Sequence, residues 1–215
     1  HLVRAKLRVQ MSTPRESVGE FATQLREKKY VSEAATRYGL AYSLLRAKDV
    51  AAAQREIDAL NALKVSSPMI AGLSAEARLA ARDLAGAQAI YRDALQRYPQ
   101  SRSLVYGYAE ALLMARQYEQ GLLFLESQLQ IYSSDYKLYG LQAKAFAALG
   151  KRLPQHRAQA EFYLLQGQLG SAVEQLQFAQ QAADGNFFEQ SAVDARLREL
   201  RKLQAEEAKQ KKNGV

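Results

Sequence analysis

Several residue types are scarce or missing in this chain of 215 residues, and each absence excludes a class of function. Cysteine is absent, which excludes disulfide bonds and thiolate metal ligands. The only two histidines are His1 and His156, so the chain cannot form an HExxH zinc site, which needs two histidines four residues apart. Glycine-rich phosphate loops of the GxxxxGK[ST] or GxGxxG type are also missing. We therefore expect a non-catalytic chain that holds no metal or cofactor.

Long apolar runs, and a basic stripe within the repeats, are also missing. No stretch of 18 apolar residues occurs, so no membrane span is expected. The net charge is +8, and about half of it falls between residues 196 and 212. No basic stripe with interleaved aromatic residues is present, so a nucleic-acid partner is not expected. No signal peptide is present, and the start at His1 rather than methionine indicates an excised fragment or a mature piece.

A fixed period is the most informative feature that the sequence does contain. Ala41, Ala75, Ala109 and Ala143 lie 34 residues apart. Apolar residues recur at helical spacing almost throughout, and the alternation typical of strands never lasts. A period of this length predicts an all-α solenoid in which one helix-turn-helix unit stacks on the next.

A second row of small residues follows the first. Ala53, Ala87 and Gly121 lie twelve residues after the first three alanines, and the phase restarts at Ala160. Small residues at fixed places predict close crossings of helix backbones, where a larger side chain would cause strain. The predicted packing positions are Ala41, Ala53, Ala75, Ala87, Ala94, Ala109, Gly121, Ala143, Ala160, Ala172 and Ala179.

The breaks between helical segments predict the domain organisation. Lead-in helices are expected over residues 1–31, and about five repeats over residues 32–183. The helix over residues 154–166 is expected to be the second helix of the fourth unit and also the first helix of the fifth. A capping helix is expected over residues 184–203, and a charged tail over residues 204–215.

The repeat pattern resembles the tetratricopeptide repeat. The 34-residue period, the spacing of twelve between small residues, Tyr91 on the second helix and Pro99 at the repeat boundary carry this resemblance. The best match is the unit over residues 69–99. The resemblance implies a right-handed superhelical solenoid whose concave groove binds protein or unfolded polypeptide.

The groove is expected to be lined by the first helix of each unit. The candidate groove residues are Tyr38, Tyr42, Arg46, Glu76, Tyr106, Glu110, Met114, Lys137 and Lys144. Tyrosine and methionine provide good contact surface for flexible or apolar segments. Alternatively, about half of these tyrosines pack between helices, because tyrosine is intermediate in burial. The Lys and Asn or Arg clamp that captures acidic chaperone tails is missing, so such tails are not expected as partners.

A narrower resemblance covers most of the chain. The stretches at residues 2–7, 37–47, 138–151, 159–167, 172–176 and 195–200 are similar to the C-terminal repeat domain of BepA (YfgC)-like bacterial zinc metallopeptidases. This resemblance implies a periplasmic location, and a catalytic zinc in a protease domain outside this sequence. It also implies a role in the assembly or quality control of outer-membrane proteins, with the barrel-assembly machinery as a further partner. The alternative is a stand-alone adaptor that organises an envelope, secretion or pilus complex.

Overall fold

The computed structural model describes the backbone of residues 1–213 and the side chains of residues 1–210. Every regular element in this described part is an α-helix, which confirms the predicted all-α class. The twelve helices are α1 (Leu2–Met11), α2 (Pro14–Arg26), α3 (Glu33–Arg46), α4 (Val50–Ala62), α5 (Pro68–Ala80), α6 (Leu84–Arg97), α7 (Arg102–Met114), α8 (Tyr118–Ile131), α9 (Tyr136–Ala148), α10 (Arg152–Leu164), α11 (Leu169–Gln181) and α12 (Phe187–Asn213).

Polar side chains at the N-terminal ends explain where many of the helices begin. Thr13 forms a capping box with Glu16: its hydroxyl accepts from the Glu16 backbone N–H, and the Glu16 carboxylate accepts from the Thr13 backbone N–H. Further helices are capped by a side-chain oxygen that accepts a backbone N–H of the first turn. These caps are Ser32, Asp49, Ser67, Asp83, Asp135 and Asn186.

The turn inside each helical hairpin repeats every 34 residues. Lys48, Arg82, Arg116 and Gly150 all have a positive φ, between 58° and 69°. After α3, the Lys48 N–H donates to the Leu45 carbonyl and the next N–H donates to the Leu44 carbonyl, each at 3.0 Å. This pair of bonds is a Schellman motif, which ends a helix with one residue in the left-handed region.

We expect Lys48→Gly to raise the free energy of unfolding by about 0.5–1 kcal/mol. Lysine carries a Cβ that disfavours the left-handed region, whereas glycine adopts it freely. Lys48 is exposed, so the substitution removes no core contact. Urea unfolding of the two proteins measures the difference. Lys48→Ala is the matched control, because alanine retains the Cβ, and an equal gain from alanine would contradict this explanation.

The chain divides into two compact units, His1–Ala111 and Leu112–Val215, and the division falls within α7. In the first unit, α1 and α2 both pack on α3, which also packs on α4 and α5. One apolar core joins these helices, and it includes Val9, Phe21, Ile57, Leu60 and Leu73. The predicted lead-in helices are therefore part of the packed unit.

In the second unit, α10 packs against both α9 and α11, and α11 packs against α12. The helix predicted over residues 154–166 thus has a helical partner on each side. The apolar core of this unit includes Leu153, Leu176, Val193, Leu197 and Leu200, all at most 2% exposed.

The C-terminal helix is longer than the predicted capping helix. It continues through residue 213, so residues 204–213 of the predicted tail are helical, and residues 214–215 lie outside the described part. The side chains of residues 201–210 are exposed. Alanine, glutamate, glutamine and lysine dominate this stretch, and their helix propensity extends α12 beyond its last core contact at Leu200.

The structure buries every one of the predicted packing positions. Ala41, Ala53, Ala75, Ala87, Ala94, Ala109, Ala160, Ala172 and Ala179 have no exposed surface, Ala143 is 3% exposed and Gly121 is buried. A Cβ added to Gly121 would lie 2.8 Å from Leu113 Cδ1. These positions therefore lie where neighbouring helices leave no room for larger side chains.

Candidate protein-binding surface

Two glycines in the first unit each let one helix lie close to the helix that precedes it in the chain. A Cβ added to Gly39 of α3 would lie 2.5 Å from the Phe21 ring of α2, and one added to Gly107 of α7 would lie 2.5 Å from the Tyr91 ring of α6. The two glycines are 68 residues apart, which is twice the repeat period. Each glycine thus receives an aromatic ring from the preceding helix.

Side chains from four helices of the first unit form what we term the Tyr–Glu surface. Lys6 of α1 contacts Tyr42 of α3, and Glu76 of α5 interacts electrostatically with Lys6 and with Glu110 of α7. The surface also includes Tyr106 of α7. The Lys6 Nζ lies 6.0 Å from the centroid of the Tyr42 ring, a cation–π distance. Tyr106 precedes Glu110 by four residues, so the two side chains share one face of α7.

The charges of the Tyr–Glu surface affect one another. Glu76 reaches solvent, but neighbouring groups crowd its carboxylate, and this desolvation raises its pKa. The Lys6 ammonium lowers the Glu76 pKa, whereas the Glu110 carboxylate raises it. Burial raises the pKa of the Tyr91 hydroxyl, and both glutamates add to that shift. Two carboxylates therefore share this surface with a single ammonium group.

The raised pKa of Glu76 predicts a pH dependence of stability. Because the folded-state pKa lies above the ordinary value of 4.5, folding favours the protonated form. This stabilising contribution is fully present below pH 4.5 and is lost as the pH rises through the folded-state pKa. We expect Glu76→Gln to be more stable than the parent protein at pH 7 and to lose this part of the pH dependence. Urea unfolding from pH 4 to pH 8 tests this, and a glutamine variant that is less stable at pH 7 would contradict it.

Two predicted groove residues have structural roles in the first unit. Tyr38 is only 3% exposed and belongs to the apolar core, so it is not a groove contact. Its ring centroid lies 6.3 Å from that of Tyr42, and the two ring planes are tilted by 33°. Arg46 donates from Nη1 to the backbone carbonyls of Val9 and Ser12. Arg46 is exposed, but these bonds commit its guanidinium group to the C-terminal end of α1.

The remaining predicted groove residues are divided between the two units. Tyr42 and Tyr106 are half-buried, and Glu76 and Glu110 are exposed. The Tyr106 hydroxyl accepts a hydrogen bond from the Arg102 Nε at 3.2 Å. Met114, Lys137 and Lys144 lie in the second unit and are exposed.

Sequence reasoning missed two contributors to this surface. Lys6 was missed because α1 is too short to show a repeat, although its buried residues Ala5 and Val9 lie four apart. Tyr91 was cited only for the resemblance to the tetratricopeptide repeat. It is 2% exposed, but its hydroxyl lies in the field of Glu76 and Glu110.

The surface offers aromatic rings, carboxylates and an ammonium group. Within the described part of the chain, no three His, Asp or Glu side chains converge as metal ligands, so these residues do not fit a zinc site. No helix in that part has the length and apolar character needed to cross a membrane.

Comparison with known proteins shows the fold. Residues 78–145 match the sequence profile of the tetratricopeptide repeat. MamA from Desulfovibrio magneticus RS-1 is similar in structure with a TM-score of 0.55 and 15% identity, over 81% of this chain and 97% of the MamA chain. A tetratricopeptide repeat protein from Parabacteroides merdae ATCC 43184 is similar with a TM-score of 0.59 and 11% identity, over 91% of this chain and 81% of the other. No curated protein matches the chain.

Residues 78–145 thus match the tetratricopeptide repeat, and the chain shares its helical fold with these solved structures, as its period predicted. Folds of this kind are scaffolds that bind other proteins on the surface of stacked helices. The narrower resemblance to BepA-like metallopeptidases depends on the sequence stretches alone.

Proposed function

We propose, taking the tetratricopeptide-repeat fold as the premise, that this chain is a non-catalytic domain that holds unfolded polypeptide on the Tyr–Glu surface. The observation that carries the proposal is the convergence of Tyr42, Glu76 and Glu110 beside Lys6. An extended polypeptide exposes apolar side chains together with unpaired backbone N–H groups. Tyrosine rings pack against the side chains, and the two carboxylates accept from the backbone N–H groups.

Replacing both Tyr42 and Tyr106 with alanine is expected to weaken the binding of polypeptide about tenfold or more, because tyrosines often dominate such interfaces. The probe is a fluorescently labelled outer-membrane barrel protein, kept unfolded in urea and diluted into the binding assay. Tyr98→Ala is the matched control, since Tyr98 lies at the end of α6 and instead pairs its hydroxyl with Ser66. Circular dichroism checks that the variants stay helical. Unchanged binding by a folded double variant would exclude the Tyr–Glu surface as the binding site.

We further propose that this domain serves a periplasmic zinc metalloprotease that acts in the assembly or quality control of outer-membrane proteins. Six sequence stretches support this proposal through their resemblance to BepA-like enzymes. The zinc would be held by a protease domain outside this chain, because the described residues do not fit it. Docking on the barrel-assembly machinery is part of the same proposal.

A stand-alone adaptor for an envelope, secretion or pilus complex is the second candidate. The repeat fold supports it as well, because stacked helical repeats form a binding surface without any attached enzyme. The gene sequence upstream of the His1 codon distinguishes the two candidates. An in-frame HExxH motif supports the protease, whereas a signal peptide followed directly by repeats supports the adaptor.

A further inference from the structure

A half-open pocket of about 370 Å³ lies in the second unit between α9, α10 and α12. Tyr139, Gln142 and Phe146 line it from α9. Pro154, Arg157, Ala158 and Glu161 line it from α10, and Arg196 lines it from α12. The lining therefore combines two arginines and a glutamate with aromatic and apolar side chains.

The Arg196 guanidinium is held in a fixed orientation. Its Nε and Nη2 donate to the two carboxylate oxygens of Glu161, each at 2.8 Å, and its Nη1 donates to Glu199 at 2.7 Å. A guanidinium carries five N–H groups, so two remain for a ligand. Packing and ion pairing thus preorganise one cation at the pocket, which lowers the entropic cost of binding.

Arg157 supplies a second cation that the protein itself leaves unpaired. Its side chain is exposed, and it makes no hydrogen bond or ion pair within the described part of the chain. The hydroxyl of Tyr139 lies in the field of Arg157, Arg196 and Glu161. Burial, followed by the Glu161 carboxylate, raises the pKa of Tyr139, so this hydroxyl stays a donor at neutral pH.

We propose that this pocket binds the carboxylate side chain of an aspartate or glutamate within a bound polypeptide. The carboxylate accepts from Arg157, from the free N–H groups of Arg196 and from the Tyr139 hydroxyl. Phe146 and Pro154 receive the methylene stem of the same side chain. Because the pocket is open on one side, the polypeptide can continue in both directions from the aspartate or glutamate that it inserts. This inference depends on the proposed function, since it assigns one chemical feature of the polypeptide that the domain holds.

The charge balance of the pocket favours a carboxylate over a phosphate group. Two arginines and one glutamate line the pocket, and Glu199, which also pairs with Arg196, brings the charge of this cluster to zero. A carboxylate adds one negative charge to the cluster, whereas a phosphate group adds two. A doubly charged phosphate group leaves an excess of negative charge next to Glu161, whose repulsion disfavours it.

The test is an NMR titration of the full chain that follows the guanidinium N–H signals of Arg157 and Arg196. N-acetylglutamic acid α-amide presents the side-chain carboxylate, and N-acetylglutamine amide is its neutral isostere. We expect saturable shifts with the glutamic acid derivative and none with the glutamine derivative. N-acetylphenylalanine, which mimics a chain end, and inorganic phosphate are expected to bind more weakly. The proposal is overturned if no probe gives saturable shifts, or if the chain-end mimic or phosphate binds more tightly.

Two variants test the location of the site. Arg157→Gln is expected to weaken binding of the glutamic acid derivative about tenfold, through loss of a charge-assisted hydrogen bond. Arg198→Gln removes an exposed charge from α12 outside the pocket and is expected to change nothing. Equal binding by the Arg157→Gln protein would overturn the assignment. The titration uses no polypeptide, so it can fail while polypeptide binding at the Tyr–Glu surface persists, and the reverse also holds.

Discussion

Replacing Ala75 with leucine is expected to lower the free energy of unfolding by about 1–3 kcal/mol. Ala75 lies in the middle of α5 and has no exposed surface. The added carbon atoms have no space to occupy, so the helix must shift away from its neighbours or the new side chain must adopt a strained rotamer. Thermal and urea unfolding both measure the loss.

Ala89→Leu provides the matched control for this overpacking. Ala89 lies in α6 and is exposed, so leucine there adds volume without displacing a neighbour. We expect a change within about 0.5 kcal/mol. Ala109→Leu on α7 should repeat the loss, because Ala109 occupies the same place one period later and is also fully buried. Unchanged unfolding curves for both buried variants would show that these positions are not helix crossings.

Replacing Gly107 with alanine is expected to destabilise the protein by about 1–3 kcal/mol, although alanine is ordinarily the better helix former. The new Cβ would lie 2.5 Å from the ring atoms of Tyr91. Tyr91 is only 2% exposed, so its ring has no free space to enter. The steric overlap therefore outweighs the gain in helix propensity.

Gly72→Ala is the control for that substitution. The nearest atom to a Cβ at position 72 is Leu104 Cδ2 at 3.7 Å, an ordinary contact, so we expect a gain of about 0.5–1 kcal/mol. The substitution at Gly107 should also cost less when Tyr91 is first replaced by leucine, because the overlapping ring is then gone. If the changes in the free energy of unfolding caused by the two substitutions are additive, residues 91 and 107 do not interact directly.

Most of the fold could be predicted because the 34-residue period constrains many residues at once. The all-α class followed from the spacing of apolar and small residues, whereas caps such as Asp49 and Asp83 were identified only in the structure. Gly150 was recognisable as a helix end, but Lys48, Arg82 and Arg116 were not, because lysine and arginine carry no left-handed preference. Only the 34-residue interval between successive positions, from Lys48 to Gly150, relates them to the same turn.

The candidate site could be predicted less completely, because burial depends on contacts between distant residues. Helical spacing placed Tyr38 and Tyr42 on nearly the same face, but only packing against the neighbouring helices decides that Tyr38 is core and Tyr42 is surface. The pairing of Arg196 with Glu161 spans 35 residues and joins two helices, so no local pattern indicates it. The extension of α12 was underestimated because a polar segment without apolar periodicity is also typical of a loose tail.

Photo-crosslinking tests most directly whether the Tyr–Glu surface holds polypeptide. A photoreactive phenylalanine analogue replaces Tyr42 in one protein and the exposed Arg55 of α4 in another, and each is irradiated with the unfolded barrel protein. Strong crosslinks from position 42, together with background levels from position 55, are the predicted result. Equal crosslinking from the two positions, or crosslinking from position 55 alone, would contradict the account.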